Sequence, residues 1–179
     1  MQTNQAGTTV GDCLSKASNR LRDNGLDAAR RDARALLAHV LETTVEGLFG
    51  HPEQAVAAPD AEIYFNLIAR RSKHEPLSRL IGRREFWSLD FLLSPATLDP
   101  RPDSETIIEA VIEARPNTDQ DLRILDLGTG SGCLIGALLS EFPKARGVAV
   151  DVSAQAVETA SDNLHRLGFG DRVKCQRAD

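Results

Sequence analysis

The chain has 179 residues, 41% of them hydrophobic and 26% charged, which supplies apolar material for one domain or two small ones. Its net charge of −5 is spread over both halves and argues against a module built to grip nucleic acid, which needs a clustered basic face. Cys13, Cys133 and Cys175 are odd in number and form no Cys-x-x-Cys. No apolar run nears the roughly 20 residues of a bilayer span and no signal-peptide pattern opens the chain, so a soluble protein of a reducing cytoplasm is expected.

Val10, Leu14, Ala17 and Leu21 recur at helical spacing, with Thr9 as the expected cap and Gly25 beyond the end. Asp27 is expected to cap a second helix that turns Leu36, Leu37, Val40 and Leu41 inward. A short turn over residues 45–49 follows, then an amphipathic helix from about Asp60 to Lys73 on Ile63, Tyr64, Leu67 and Ile68. Residues 1–75 thus read as a helical domain. At Glu75-Pro76 the texture changes, because proline disfavours the helical region for its predecessor. Apolar runs at 85–87 and 91–93 flank Ser88-Leu89-Asp90, which suggests a hairpin. Pro95, Pro100 and Pro102 stiffen the next stretch, so residues 76–102 read as a linker. Ser104 or Asp103 then caps a helix with Ile107, Ile108, Val111 and Ile112 inward.

From Leu122 the pattern alternates. A buried strand at 123–127 precedes a helix carrying Leu134, Ile135, Leu138, Leu139 and Phe142, and a second strand occupies 147–150. A helix capped by Ser153 and closed by Gly168 turns Val157, Ala160, Leu164 and Leu167 inward, and a third strand spans 172–176. Residues 103–179 therefore form βαβαβ, half of a doubly wound α/β sheet whose crossovers are right-handed.

The densest chemistry lies in Asp126-Leu127-Gly128-Thr129-Gly130-Ser131-Gly132. A strand that ends in closely spaced glycines and feeds a helix lets a ligand approach the main chain, since no Cβ intervenes. The dinucleotide fingerprint Gly-x-Gly-x-x-Gly would put its last glycine at 133, where Cys133 stands. Asp126, just before the loop, also suits a bare pyrophosphate poorly. Asp151 closes the next strand 19 residues after Gly132, near the offset of a carboxylate that binds ribose hydroxyls. A tight strand-to-helix turn and a helix-preceding acid are the plainer alternatives. His39, His51, His74 and His165 show no metal spacing. Arg70, Arg71, Lys73, Arg83 and Arg84 fit a solvated surface better than a docking site.

The loop Gly128–Gly132 resembles motif I of S-adenosylmethionine-dependent methyltransferases, which implies that cofactor, held by Asp126, Gly128, Thr129, Gly130, Ser131, Gly132 and Asp151. Three further segments resemble the release-factor glutamine methyltransferase (HemK-type) family: Arg30-Arg31-Asp32-Ala33 with Leu36-Leu37, Ile81-Gly82-Arg83-Arg84-Glu85-Phe86-Trp87, and Pro100-Arg101-Pro102-Asp103-Ser104-Glu105. The last is the most specific and argues against sister enzymes acting on a ribosomal protein. Asp99 departs from the family pattern, which has an apolar residue there; it is expected to be exposed or paired, with Arg101 as the suggested partner.

The resemblance implies a cytoplasmic, monomeric enzyme that methylates the glutamine amide of the Gly-Gly-Gln motif in peptide-chain release factors, with no direct nucleic-acid or membrane partner. It implies substrate contacts at Phe86 and Trp87 of the hairpin and at Arg101 and Glu105, although Phe86 and Trp87 suit a core equally well and Arg101 and Glu105 suit a local ion pair. The family's catalytic Asn-Pro-Pro-Tyr is absent, so no residue here is expected to perform methyl transfer, and the chain by itself is expected to be inactive, to bind cofactor weakly and to self-associate through the free edge of its first parallel strand. An adenine amino-methyltransferase of nucleic acid and a non-catalytic binding module are the alternatives.

Overall fold

The computed structural model describes residues 8–179. They form two compact units that divide between Ile81 and Gly82.

The first unit contains α1 (Val10–Asp23), α2 (Ala29–Val40), α3 (Val45–Phe49), α4 (Ala58–Arg71) and α5 (Leu77–Ile81). Thr9 starts α1 through a reciprocal capping box: its hydroxyl accepts from Asp12 N at 3.2 Å, while Asp12 Oδ2 accepts from Thr9 N at 3.3 Å. Cys13, Ala17 and Leu21 of α1 meet Ala33, Leu36 and Leu37 of α2 and Tyr64 and Ile68 of α4 in one continuous core. Tyr64 donates its hydroxyl to Ala33 O at 3.1 Å, and the buried Asp32 pairs with Arg71 Nε at 2.8 Å. Two expectations fail here. Ala28, not Asp27, is the N-cap of α2, and no side chain caps it. Ile63 is 52% exposed, because α4 is rotated to point the Tyr64–Ile68 ridge inward. α5 was not anticipated; it begins directly after Pro76.

The second unit opens with β1 (Arg83–Phe86) and β2 (Leu89–Leu92), an antiparallel hairpin. Its two-residue turn is Trp87-Ser88, with φ of +53° and +56°, rather than the expected 88–90. Positive φ at both positions matches the twist of the strands but normally calls for glycine or asparagine. Here the strained tryptophan is pinned instead: Glu105 Oε1 accepts its main-chain N–H at 2.9 Å, and Glu141 Oε1 accepts its indole N–H at 2.7 Å.

A 3₁₀ turn at Pro102–Ser104 leads into α6 (Glu105–Ala114), followed by β3 (Arg123–Leu127), α7 (Cys133–Glu141), β4 (Arg146–Asp151), α8 (Ala154–Arg166) and β5 (Val173–Arg177). The sheet is parallel throughout in the order β3-β4-β5, with Leu127 beside Val150 and Asp151 beside Arg177. This is the expected βαβαβ half of a doubly wound α/β sheet. One cluster, around Ile135, Leu139, Phe142, Ala149 and Leu164, joins helices to sheet; another, of Phe86, Phe91, Ile108 and Ala137, fastens the hairpin and α6 to α7.

Of residues 76–102, expected as a linker, 76–81 therefore belong to the first unit and 82–102 to the second. The first parallel strand is also not buried as expected. Leu125 is 63% and Leu127 71% exposed, because β3 has a neighbour on one edge only and packs α7 on one face. Ile107, expected inward, is 49% exposed, whereas Ile108 is fully buried and Val111 and Ile112 pack partly buried against the core.

Candidate cofactor site

Strand β3 delivers Asp126 and Leu127 to the glycine loop, whose three glycines all have positive φ: +73° at Gly128, +56° at Gly130 and +80° at Gly132. The loop is anchored from beneath by β4. Gly128 N and Thr129 N both donate to Val150 O at 2.9 Å. Asp151 then uses one carboxylate oxygen to accept Gly130 N at 3.0 Å and the other to accept Ser153 N at 2.9 Å. Asp151 is thus a strut for the loop. Each of its oxygens keeps a lone pair, so it can still accept a ligand hydroxyl.

The three glycines serve different ends. A Cβ on Gly128 would meet nothing within 4 Å, and on Gly130 it would find only Gly128 O and Leu98 N, both at 4.0 Å. Their main chain faces open space. A Cβ on Gly132 would lie 3.3 Å from Ala160 Cβ and from Leu164 Cδ1, so that glycine exists to let α7 approach α8. The expectation that all three bare the main chain to a ligand is corrected to two. Such an open cradle leaves main chain free to meet a ligand.

Asp126 donates nothing and accepts from Thr129 Oγ1 at 2.7 Å. Burial pushes its carboxyl above the ordinary value and the charge of Asp151 adds to the push, while the Thr129 hydroxyl and the Ile135 N–H oppose it. A half-buried carboxylate held by a hydroxyl under the loop shapes the site rather than serving as a free base. Ser131 is buried, and its carbonyl accepts from Asn163 Nδ2 at 2.9 Å. Asn163 escaped the sequence reading. Its only signal there is a polar residue between Ala160 and Leu164 on the apolar face of α8.

The suggested substrate residues are not gathered around one opening. Phe86 is 1% exposed inside the Phe91–Ile108–Ala137 cluster, which is its core role. Glu105 holds the hairpin turn and borders a cavity of about 480 Å³ with Glu85, Trp87, Ser88, Ser140 and Glu141. Arg101 is exposed and makes no ion pair with Glu105 among the described residues. Asp99 lies 3.9 Å from Arg84 Nε, which contributes to balancing its charge. Three other basic candidates are likewise paired: Arg70 to Glu75, Arg71 to Asp32, Arg83 to Asp90. Among the described residues no group of three His, Cys, Asp or Glu side chains could hold a metal ion, and no helix is long and apolar enough to cross a membrane.

Comparison with known proteins supplies the remaining context. Residues 12–82 match the PrmC N-terminal domain, and residues 124–179 match a methyltransferase domain. The release factor glutamine methyltransferase of Rhodospirillum rubrum is 39% identical over 172 residues, covering 96% of this chain and 52% of that protein. The enzyme of the same name from Bradyrhizobium diazoefficiens is 40% identical over 168 residues, covering 93% of this chain and 57% of its own. The chain therefore spans about half the length of these relatives. Among solved structures, the N-terminal domain of human METTL16 in complex with SAH aligns with a TM-score of 0.44 and 17% identity over 68% of this chain and 43% of that one, too loose a likeness to carry an argument.

Proposed function

The chain belongs to the release-factor glutamine methyltransferase family, and on that premise we propose that its glycine loop holds S-adenosylmethionine. We propose further that the full-length protein transfers the methyl group to the glutamine side-chain amide of the Gly-Gly-Gln motif in release factors. The observation that carries this reading is the pairing of two open glycines, Gly128 and Gly130, with a carboxylate at the end of the adjacent strand. In it, the loop main chain receives the methionine part and the adenosyl edge, and Asp151 accepts the ribose hydroxyls while bracing Gly130. Asp126 and Thr129 keep the first turn of the loop rigid, and Ser131 and Gly132 set its path into α7. Bound S-adenosylmethionine supplies a methyl group activated on a sulfonium. The amide nitrogen it must reach is a weak nucleophile, so the family chemistry depends on orientation and electrostatics.

The residues for that orientation are not in this sequence, which contains no Pro-Pro pair and hence no Asn-Pro-Pro-Tyr. These 179 residues accordingly bind the cofactor weakly and transfer nothing. They self-associate through the β3 edge, where Leu125 and Leu127 are exposed. The three free cysteines suit the cytoplasm, where release factors work.

Amide shifts test the site directly. Titration with S-adenosylhomocysteine should move Gly128, Gly130 and Asp151, while NADH should not; shifts centred elsewhere would sink the assignment. For the reaction, the full-length protein should label release factor and not DNA, and labelling of DNA alone would overturn it.

A further inference from the structure

Asn163 has no exposed surface and makes four hydrogen bonds with one carboxamide, three of them to main chain. Oδ1 accepts Leu92 N at 2.8 Å, and Nδ2 donates to Leu92 O and to Ser131 O, each at 2.9 Å. The first two bonds fall on the outer edge of β2. Leu93 N already donates to Gly82 O, so strand alternation turns both main-chain groups of Leu92 away from β1. The side chain of Asn163 thus stands where a third strand would pair, presenting an acceptor and a donor as a peptide group does. The third bond reaches the middle of the glycine loop. A trans peptide points its C=O and N–H in opposite directions. Holding Ser131 O toward α8 therefore turns Gly132 N–H toward Thr129 O, which accepts it at 2.9 Å.

We propose that Asn163 is a positioning residue that ties the seating of the β1–β2 hairpin to the backbone orientation of the glycine loop. A buried amide whose partners are all satisfied fixes one arrangement, and losing it leaves two carbonyls and an N–H unpaired in the interior. No apolar residue can supply these bonds. A neighbour on the same helix supplies the contrast. Arg166 also grips β2, through Asp90 O and, at 3.5 Å, the Asp90 carboxylate, and its Nη2 donates to Asn163 Oδ1 at 3.4 Å, but no bond of its own reaches the loop.

Hydrogen exchange of the ligand-free chain decides the matter. Asn163→Ala should speed exchange of Leu92 and Gly132 together, each about tenfold, the worth of one net hydrogen bond. Asn163→Asp keeps an acceptor for Leu92 N–H but no donor for the carbonyls, so Gly132 should accelerate more than Leu92. Arg166→Ala should loosen β2 and, because the Asn163 Nδ2 bond to Ser131 O remains, speed Gly132 far less than Asn163→Ala does. Unchanged Gly132 exchange in both Asn163 variants would overturn the proposal, as would an Arg166→Ala effect at Gly132 equal to that of Asn163→Ala. A second measurement rests on the cofactor site proposed above: S-adenosylhomocysteine should shift the Leu92 amide in the wild type and not in Asn163→Ala. If it shifts no loop amide at all, the cofactor assignment falls, while the exchange rates still decide the role of Asn163.

Discussion

The helical unit and the α/β unit use similar material to opposite ends. In the first, one continuous core runs from Val10 to Leu80, and the buried Asp32 is matched by Arg71. In the second, the core is split into two clusters, Leu125 and Leu127 lie open, and three loop glycines take positive φ, two of them facing open space. The difference separates scaffold from site. A core closed on itself maximises buried area, whereas a ligand cradle must leave main chain bare and tolerate backbone conformations that only glycine adopts at little cost.

The sharpest way to break this contrast is to damage the closed core. Leu36→Ala, at a fully buried position, should cost about 2–5 kcal/mol in urea unfolding. A cost under 1 kcal/mol would mean that the helical core is not as continuous as it looks. Next come the loop glycines, which should separate packing from ligand access. Gly132→Ala combines positive φ with crowding against Ala160 and Leu164, and should cost about 2 kcal/mol. Gly128→Ala meets only open space, so it should cost about 1 kcal/mol of stability yet abolish the shifts caused by S-adenosylhomocysteine. If both glycines behave alike, the division of labour drawn between them is wrong.

Leu127→Lys should leave stability nearly unchanged and reduce self-association measured by light scattering, since charge on a free strand edge opposes pairing. Equal association of both proteins would move the contact away from β3. The smallest effect concerns Asp126. Its folded-state pKa is raised, so the folded protein holds the proton more tightly than the unfolded chain. The resulting stability is present at low pH and is lost as pH rises from the ordinary carboxyl value of 3.8 through the raised one. Asp126→Asn should therefore stabilise the chain at neutral pH and flatten stability across that window. A variant less stable at neutral pH would show that the carboxylate is needed for the loop itself.

Local signals in the sequence were sufficient for much of this. The Thr9 capping box, the βαβαβ alternation, the loop Gly128–Gly132 and Asp151 at the end of the next strand are all set by neighbours within a turn or two, or by one strand-to-strand step. Periodicity and capping chemistry report such features directly. What the sequence could not resolve were matters of partnership at long range. The rotation of α4 that exposes Ile63, the exposed face of β3, the burial of Phe86 and the pairing of Asp99 with Arg84 each depend on what packs opposite, and apolar spacing is silent about the opposite face.

The hairpin shows the limit most clearly. Its turn carries neither glycine nor asparagine, because Glu105, 18 residues away, and Glu141, 54 residues away, hold Trp87 in place. Asn163 reaches Leu92 across 71 residues and Ser131 across 32. Sequence alone determined which backbone conformations were affordable and where main chain could be laid bare. Tertiary structure decided which side chains would hold those conformations, because a hydrogen-bond partner is chosen by position in space and leaves no periodic mark along the chain.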